Sequence, residues 1–265
     1  GMVIRSIPTR VPKLQELGLA SQIDELCELD QGLVLVTGAT GSGKSTTLAS
    51  MLDRINTTRP VHVITIEDPV EFVHEPREAL INQRELHVDT KSFSKALRAA
   101  LREDPDVILL GELRDRETTE IALEVADTGH LVFGTLHTRS ASNTVARIIE
   151  QFESSEQSQI RNSLAESLRA VISQTLCKAS AGGRVAAFEI LLGTPAVANL
   201  VREGKAFQIM SVIQTSRGAG MRTLNDDLIR LVQKKLVTPE EAQRRAYNKT
   251  ELAMLMKRDG APSLY

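Results

Sequence analysis

Leu33-Val34-Leu35-Val36-Thr37 runs into Gly38-Ala39-Thr40-Gly41-Ser42-Gly43-Lys44-Ser45, and Leu48, Met51, Leu52 and Ile55 follow at helical spacing. An apolar run stopped by glycine, a glycine-rich turn and an amphipathic stretch read as strand, loop and helix. The octapeptide satisfies G-x-x-x-x-G-K-[ST] where that pattern has chemical meaning, between a buried strand and the helix it opens. Glycines let the backbone close around phosphate oxygens, while successive amides and the helix N-terminus supply positive potential. Gly38, Thr40, Gly41, Ser42, Gly43, Lys44, Ser45 and Thr46 are therefore the expected nucleotide-binding residues, with ATP as the ligand. Lys44 is expected on the β- and γ-phosphates and Ser45 on Mg²⁺.

Outward from this loop, strand candidates recur at Val61 to Ile66, Val107 to Leu110 and Leu131 to Leu136, with intervals long enough for crossover helices. That alternation predicts an α/β fold with a mainly parallel sheet covered on both faces. Beyond His137 the spacing of Ile160, Leu164, Leu168, Val171 and Leu176 predicts one long helix, followed by a Gly182-Gly183 turn and a strand from Val185 to Leu192. The remainder reads as helical, with Thr194-Pro195 and Thr238-Pro239 as helix starts and Glu241 completing a capping box with Thr238. Upstream, Pro8, Pro12 and Gly18 predict a linker before a short helix around Ile23 to Leu29. The expected division is a linker and entry helix over residues 1–31, a nucleotide-binding core over 32–192 and a helical region over 193–265.

The 265 residues are 42% hydrophobic but only 3% aromatic, with no Trp, so Leu, Ile, Val and Ala must fill the core, as helices on a parallel sheet require. A net charge of -2 gives no overall pull towards polyanions, and nucleic acid is not an expected partner. Cys27 and Cys177 lack the paired spacing of a zinc site or a disulfide framework and read as free buried thiols. No apolar run approaches the ~18 residues that cross a bilayer, so a cytoplasmic protein without membrane insertion is expected.

Acidic residues stand where the predicted strands end. Glu67-Asp68-Pro69-Val70-Glu71 follows one strand and Gly111-Glu112 another, at the carboxyl edge where parallel sheets bind ligands. Glu112 is the candidate for orienting and deprotonating an attacking water, and Glu67, Asp68 and Glu71 for holding the metal and its waters. Gly111 occupies the position where a simple enzyme of this kind ends its strand in Asp, which places the carboxylates around metal-bound water and leaves Ser45 as the direct ligand. His137, just past Leu136, is placed to sense the γ-phosphate. Asn248-Lys249-Thr250-Glu251 resembles a guanine-recognition pattern but lies far from the sheet, so GTP selectivity is not expected. His130 and His137 lie seven apart across a strand and cannot share a metal there.

The order of Gly38 to Ser45, Glu67-Asp68-Pro69-Val70-Glu71, Asp104-Pro105-Asp106 through Gly111-Glu112-Leu113-Arg114-Asp115, and Thr135-Leu136-His137-Thr138 resembles the Walker A, Asp box, Walker B and His box of the secretion ATPase superfamily. The likeness is closest to its type IV pilus retraction branch and extends to Ala187-Phe188-Glu189-Ile190-Leu191 and Gly220-Met221-Arg222-Thr223-Leu224. It implies a RecA-like, Mg²⁺-dependent ATPase with Glu112, His137 and Glu71 in catalytic roles. It further implies a hexamer at the cytoplasmic face of the inner membrane, acting on a pilus platform protein in twitching motility. Family members carry a PAS-like N-terminal domain joined by a linker resembling Ile7-Pro8 through Leu17-Gly18-Leu19, and this chain is expected to begin at that linker. Extension and secretion members usually have a four-cysteine zinc site, which two isolated cysteines cannot build. Arg139 replaces the usual Asn after the His box, and Ala198 replaces the first Arg of a retraction-associated segment, which keeps an accessory retraction paralogue in view. The competing readings are another secretion ATPase and a RecA-like DNA-translocating motor.

Overall fold

Glycine stops, helix caps and alternating burial divide the chain into eleven α-helices and seven strands among the described residues, which are 10–19 and 21–258 of a computed structural model. In chain order these are α1 (Ser21–Cys27), β1 (Gly32–Thr37), α2 (Lys44–Thr58), β2 (His62–Glu67), β3 (Leu80–Glu85), α3 (Phe93–Ala100), β4 (Val107–Leu110), α4 (Arg116–Asp127), β5 (Leu131–Leu136), α5 (Ala141–Glu150) and α6 (Gln157–Ser167). Then follow β6 (Leu168–Lys178), β7 (Arg184–Leu192), α7 (Pro195–Arg202), α8 (Ile209–Thr215), α9 (Leu224–Gln233), α10 (Pro239–Arg245) and α11 (Lys249–Arg258). Residues 1–9 of the expected linker and the end of the C-terminal region, 259–265, lie outside the described residues.

The strands form one sheet in the order β3-β2-β4-β5-β1-β6-β7, parallel throughout except where β7 returns antiparallel to β6. Strand β1 shows why the sheet is covered twice. Leu33 and Leu35 join a core formed with α3 to α8, while Val34 and Val36 join a second core under α1 and α2. A strand buried on both faces has no polar side, so the continuous apolar run is the expected signature. A third cluster packs Leu228, Val232 and Leu252 of the C-terminal helices against Cys177 and Ala187. Both cysteines are buried and unpaired, and burial pushes each thiol up to about 12.

Three sequence expectations are corrected. The long helix expected through Leu176 ends at Ser167, and Leu168–Lys178 is strand β6, inserted between β1 and β7. Val171 faces one core while Ala170 and Ile172 face the other. Such a doubly buried run has the same apolar content as a buried helix, and periodicity alone does not separate the two. Strand β3 was absent from the sequence reading because it is a polar edge strand, Leu-Ile-Asn-Gln-Arg-Glu, with Ile81 its one buried residue. The capping box expected at Thr238 is half formed: Thr238 accepts from the Glu241 amide, but the Glu241 carboxylate turns to the Lys178 amide at 3.0 Å and to Arg245 at 2.8 Å. The reciprocal box occurs at Thr223 and Asp226, which opens α9. Ala198, on α7, packs against the larger core.

Candidate nucleotide site

The loop between β1 and α2 is held from behind by Gln174, a 95%-buried residue of β6 that the sequence reading did not single out. Its amide donates to Ser42 O at 2.6 Å and its carbonyl accepts from Thr47 Oγ1 at 2.8 Å, pinning the loop to the first turn of α2. Gly38 has φ 144°, and a Cβ there would sit 2.4 Å from Gln174 O and 2.6 Å from Ser42 Oγ. Only glycine fits that close approach. Lys44 folds over the loop, donating to Gly38 O at 3.0 Å and Ala39 O at 3.3 Å. Burial pushes its pKa down, and the carboxylates of Glu112 and Glu71 oppose that shift.

Because β2, β4, β5 and β1 are successive neighbours, their carboxyl ends bring Glu67, Glu112, His137 and the loop together along one edge. Gly111 is explained by packing: a Cβ there would lie 3.2 Å from Glu67 Cα and 3.3 Å from Ile66 O. The following turn is fixed against β5 by Thr135, whose hydroxyl donates to Gly111 O at 2.5 Å and whose carbonyl accepts from the Leu113 amide at 3.0 Å. Glu112 is thereby aimed into the cleft with both oxygens engaged. Oε2 accepts from Arg114 Nε at 2.6 Å, and Oε1 lies 3.2 Å from His137 Nε2. Arg114 also reaches Asp68 Oδ2 at 3.0 Å, so two candidate carboxylates share one guanidinium. Sequence order gives no sign of this clamp, although Arg114 stands only two residues from Glu112.

The resulting cleft has a volume of about 700 Å³. Thr40, Gly41, Gly43, Lys44, Ser45 and Thr46 line one side, and Glu67, Asp68, Glu71, Glu112 and His137 the other. Gly38 and Ser42 lie behind that lining as the loop's internal contact. Among the described residues no group of three or more His, Cys, Asp or Glu is placed to form a metal cage. A hydroxyl with carboxylates across a phosphate-sized cleft nevertheless suits Mg²⁺, which keeps several waters and takes few protein ligands. Glu67 is the least free of these carboxylates: its Oε1 accepts from Thr65 Oγ1 at 2.7 Å and Gln83 Nε2 at 3.1 Å, and burial pushes its pKa up. His130 sits at the opposite end of β5, against Val125 O. The Asn248 pattern is a helix cap, with Asn248 Oδ1 accepting from the Glu251 amide at 3.0 Å at the start of α11.

Comparison with known proteins finds relatives over most of the chain. The family described as "Type II/IV secretion system protein" matches residues 2–244. The chain is 55% identical over 246 residues to the "Type IV pilus retractation ATPase PilT" of Pseudomonas aeruginosa, covering 93% of this chain and 72% of that protein. It is 55% identical over 252 residues to the "Twitching motility protein" of Neisseria gonorrhoeae, covering 95% and 67%. A solved structure described as the pilus retraction motor PilT with bound ADP superposes with a TM-score of 0.87 at 49% identity, covering 93% of this chain and 70% of that one. With a family match spanning the loop, the carboxylate edge and His137, the chain belongs to the type II/IV secretion system protein family.

Proposed function

We propose that this chain is an ATPase whose hydrolysis cycle drives retraction of a type IV pilus in twitching motility. The observation that carries the reading is the placing of Lys44 and Glu112 in one cleft, a phosphate-binding cation facing a carboxylate, in a chain 55% identical to a pilus retraction ATPase and to a twitching motility protein. Lys44 and the amides from Thr40 to Thr46 hold the phosphate chain, and Ser45 would hold Mg²⁺, with Glu67, Asp68 and Glu71 ordering the waters around it. Such an ion would supply charge neutralisation at the phosphate oxygens. Glu112 orients the attacking water and takes its proton, which requires one of its two oxygens to leave its present partner. In this reading His137, now 3.2 Å from Glu112, exchanges it for the γ-phosphate, so that nucleotide state is read as a change in the loop that follows β5.

In this reading the working form is a homo-hexamer at the cytoplasmic face of the inner membrane, pulling on a platform protein of the pilus assembly. Among the described residues no helix is long and apolar enough to cross a membrane. The direct test is complementation: the gene should restore twitching to a strain that extends pili but cannot retract them, and its Lys44→Ala form should not. Equal twitching with both forms would remove the motor from the account. Phosphate release measured with and without single-stranded DNA separates the translocase reading, which requires stimulation by DNA.

A further inference from the structure

Glu189, on β7, lies outside the cleft and is 1% exposed. Its Oε1 accepts from the Ala141 amide at 2.7 Å, and the next residue, Ile190, exchanges backbone hydrogen bonds with Arg222, two residues before α9, at 2.8 and 3.0 Å. Oε2 is buried and has no hydrogen-bond partner. Ala141 is the first residue of α5, so the N-terminus of that helix meets a buried carboxylate of β7, one residue from the bridge that precedes α9.

The helix held on one side is the one that follows His137. One turn into α5, Thr144 Oγ1 lies 2.6 Å from Thr138 Oγ1, donates to Ser140 O at 2.8 Å and reaches Thr37 Oγ1 at 3.5 Å. Thr37 ends β1 immediately before Gly38 and pairs with Ser173 Oγ at 2.8 Å. The first turn of α5 is thus bonded to the residue beside His137 and to the residue that opens the phosphate loop. On the other side, α9 packs on β7 and carries α10 and α11 through the third apolar cluster.

We propose that Glu189 is a positioning residue for hydrolysis, tying the N-terminus of α5 to β7, on which α9 packs, so that the His137 loop and the C-terminal helices move as one. The proposal rests on the ATPase reading for its kinetic consequence but not for the mechanical link itself. A structural carboxylate in this place would ordinarily be paired with a cation, and none is hydrogen-bonded to it among the described residues. The titratable group that feels its charge is Tyr247, between α10 and α11, and Asp227 of α9, which accepts from the neighbouring Phe188 amide at 2.9 Å, is taken by Arg222 and Arg230 at 2.6 Å each. The first turn of α5, Ala141-Ser142-Asn143-Thr144, adds no charge. Burial pushes the Glu189 carboxyl up to about 7, so its charge, and with it the grip on the Ala141 amide, changes within the working pH range.

The test uses the whole chain. Glu189→Gln should lower kcat roughly ten-fold, the scale of losing one charge-assisted hydrogen bond, while ADP affinity stays within about two-fold. In the unaltered protein kcat should rise through about pH 7, and that rise should disappear in Glu189→Gln and survive in Glu189→Asp, which keeps the charge. A variant whose pH profile, per folded molecule, superimposes on that of the unaltered protein overturns the proposal. Hydrogen exchange in the unaltered protein decides it separately, even if Glu189→Gln does not fold or the chain hydrolyses no ATP. On adding ADP, protection in the first turns of α5 and α9 should change together. A change in α5 alone, or in neither, overturns the link, whereas an absence of hydrolysis with joint protection overturns only the ATPase reading.

Discussion

His137 Nε2 lies 3.2 Å from Glu112 Oε1, on the carboxylate oxygen that Arg114 leaves free. The candidate base is therefore held between an imidazole and a guanidinium before any water reaches it, and the residue that must move is one of these two. Among the described residues His137 is bonded to Glu112 and not to the phosphate loop. His137→Ala is expected to bind ATP within about two-fold of the unaltered protein while turnover falls by about ten-fold or more, as for a group used after binding. Calorimetric titration beside phosphate release checks both, and lost affinity at unchanged kcat would place His137 in binding.

Arg114 is 51% exposed on its side chain, so its ion pairs with Glu112 and Asp68 contribute at most about 1 kcal/mol to stability. Arg114→Ala should leave the unfolding midpoint within a few degrees, about 2–4 °C for a chain of this size, and any large change in turnover then belongs to the chemistry. A midpoint lowered well beyond that range would make the clamp structural.

Gly38→Ala should abolish nucleotide binding without unfolding the sheet. The added Cβ meets backbone at Gln174 O, which is fixed in β6, so the loop must move instead. Circular dichroism unchanged with ADP affinity reduced by about a hundred-fold or more is the expected pair of results, given how completely this cradle depends on backbone approach. Binding at the original affinity would mean that the loop adopts another form in solution.

Stability should carry the signature of Glu189. Its carboxyl titrates at about 7 when folded and near 4.5 when unfolded, so between those values the folded state holds the proton more tightly. The stabilisation is complete below about pH 4.5 and is lost as pH rises to about 7, by at most about 3 kcal/mol. Urea unfolding at pH 5.5 and 7.5 should show a smaller pH difference in Glu189→Gln than in the unaltered protein. Equal differences in the two would assign the pH dependence elsewhere.

What could be read from the sequence follows from how local each feature is. The phosphate loop is contiguous, and Glu112 and His137 each follow an apolar strand directly, so spacing alone placed them on the ligand edge. Gln174 and Glu189 work through contacts 132 and 48 residues away, to Ser42 and Ala141, and nothing in their neighbours announces a partner. The misreading of β6 hid both, because a segment taken for helix cannot present Gln174 to the loop or pair Ser173 with Glu189. Gly111 was legible as a departure, but its cause, the 3.2 Å approach to Glu67 Cα, belongs to the β2–β4 pairing.

The central claim is that Glu112 performs proton transfer in a site whose nucleotide binding depends on other residues. Steady-state ATP turnover of Glu112→Gln, with ATP affinity measured on the same preparation, tests it most directly. The expected result is turnover lowered about 10² to 10⁴-fold, the range of a lost general base, with affinity within about two-fold of the unaltered protein. Hydrolysis by Glu112→Gln at the unaltered rate would contradict it.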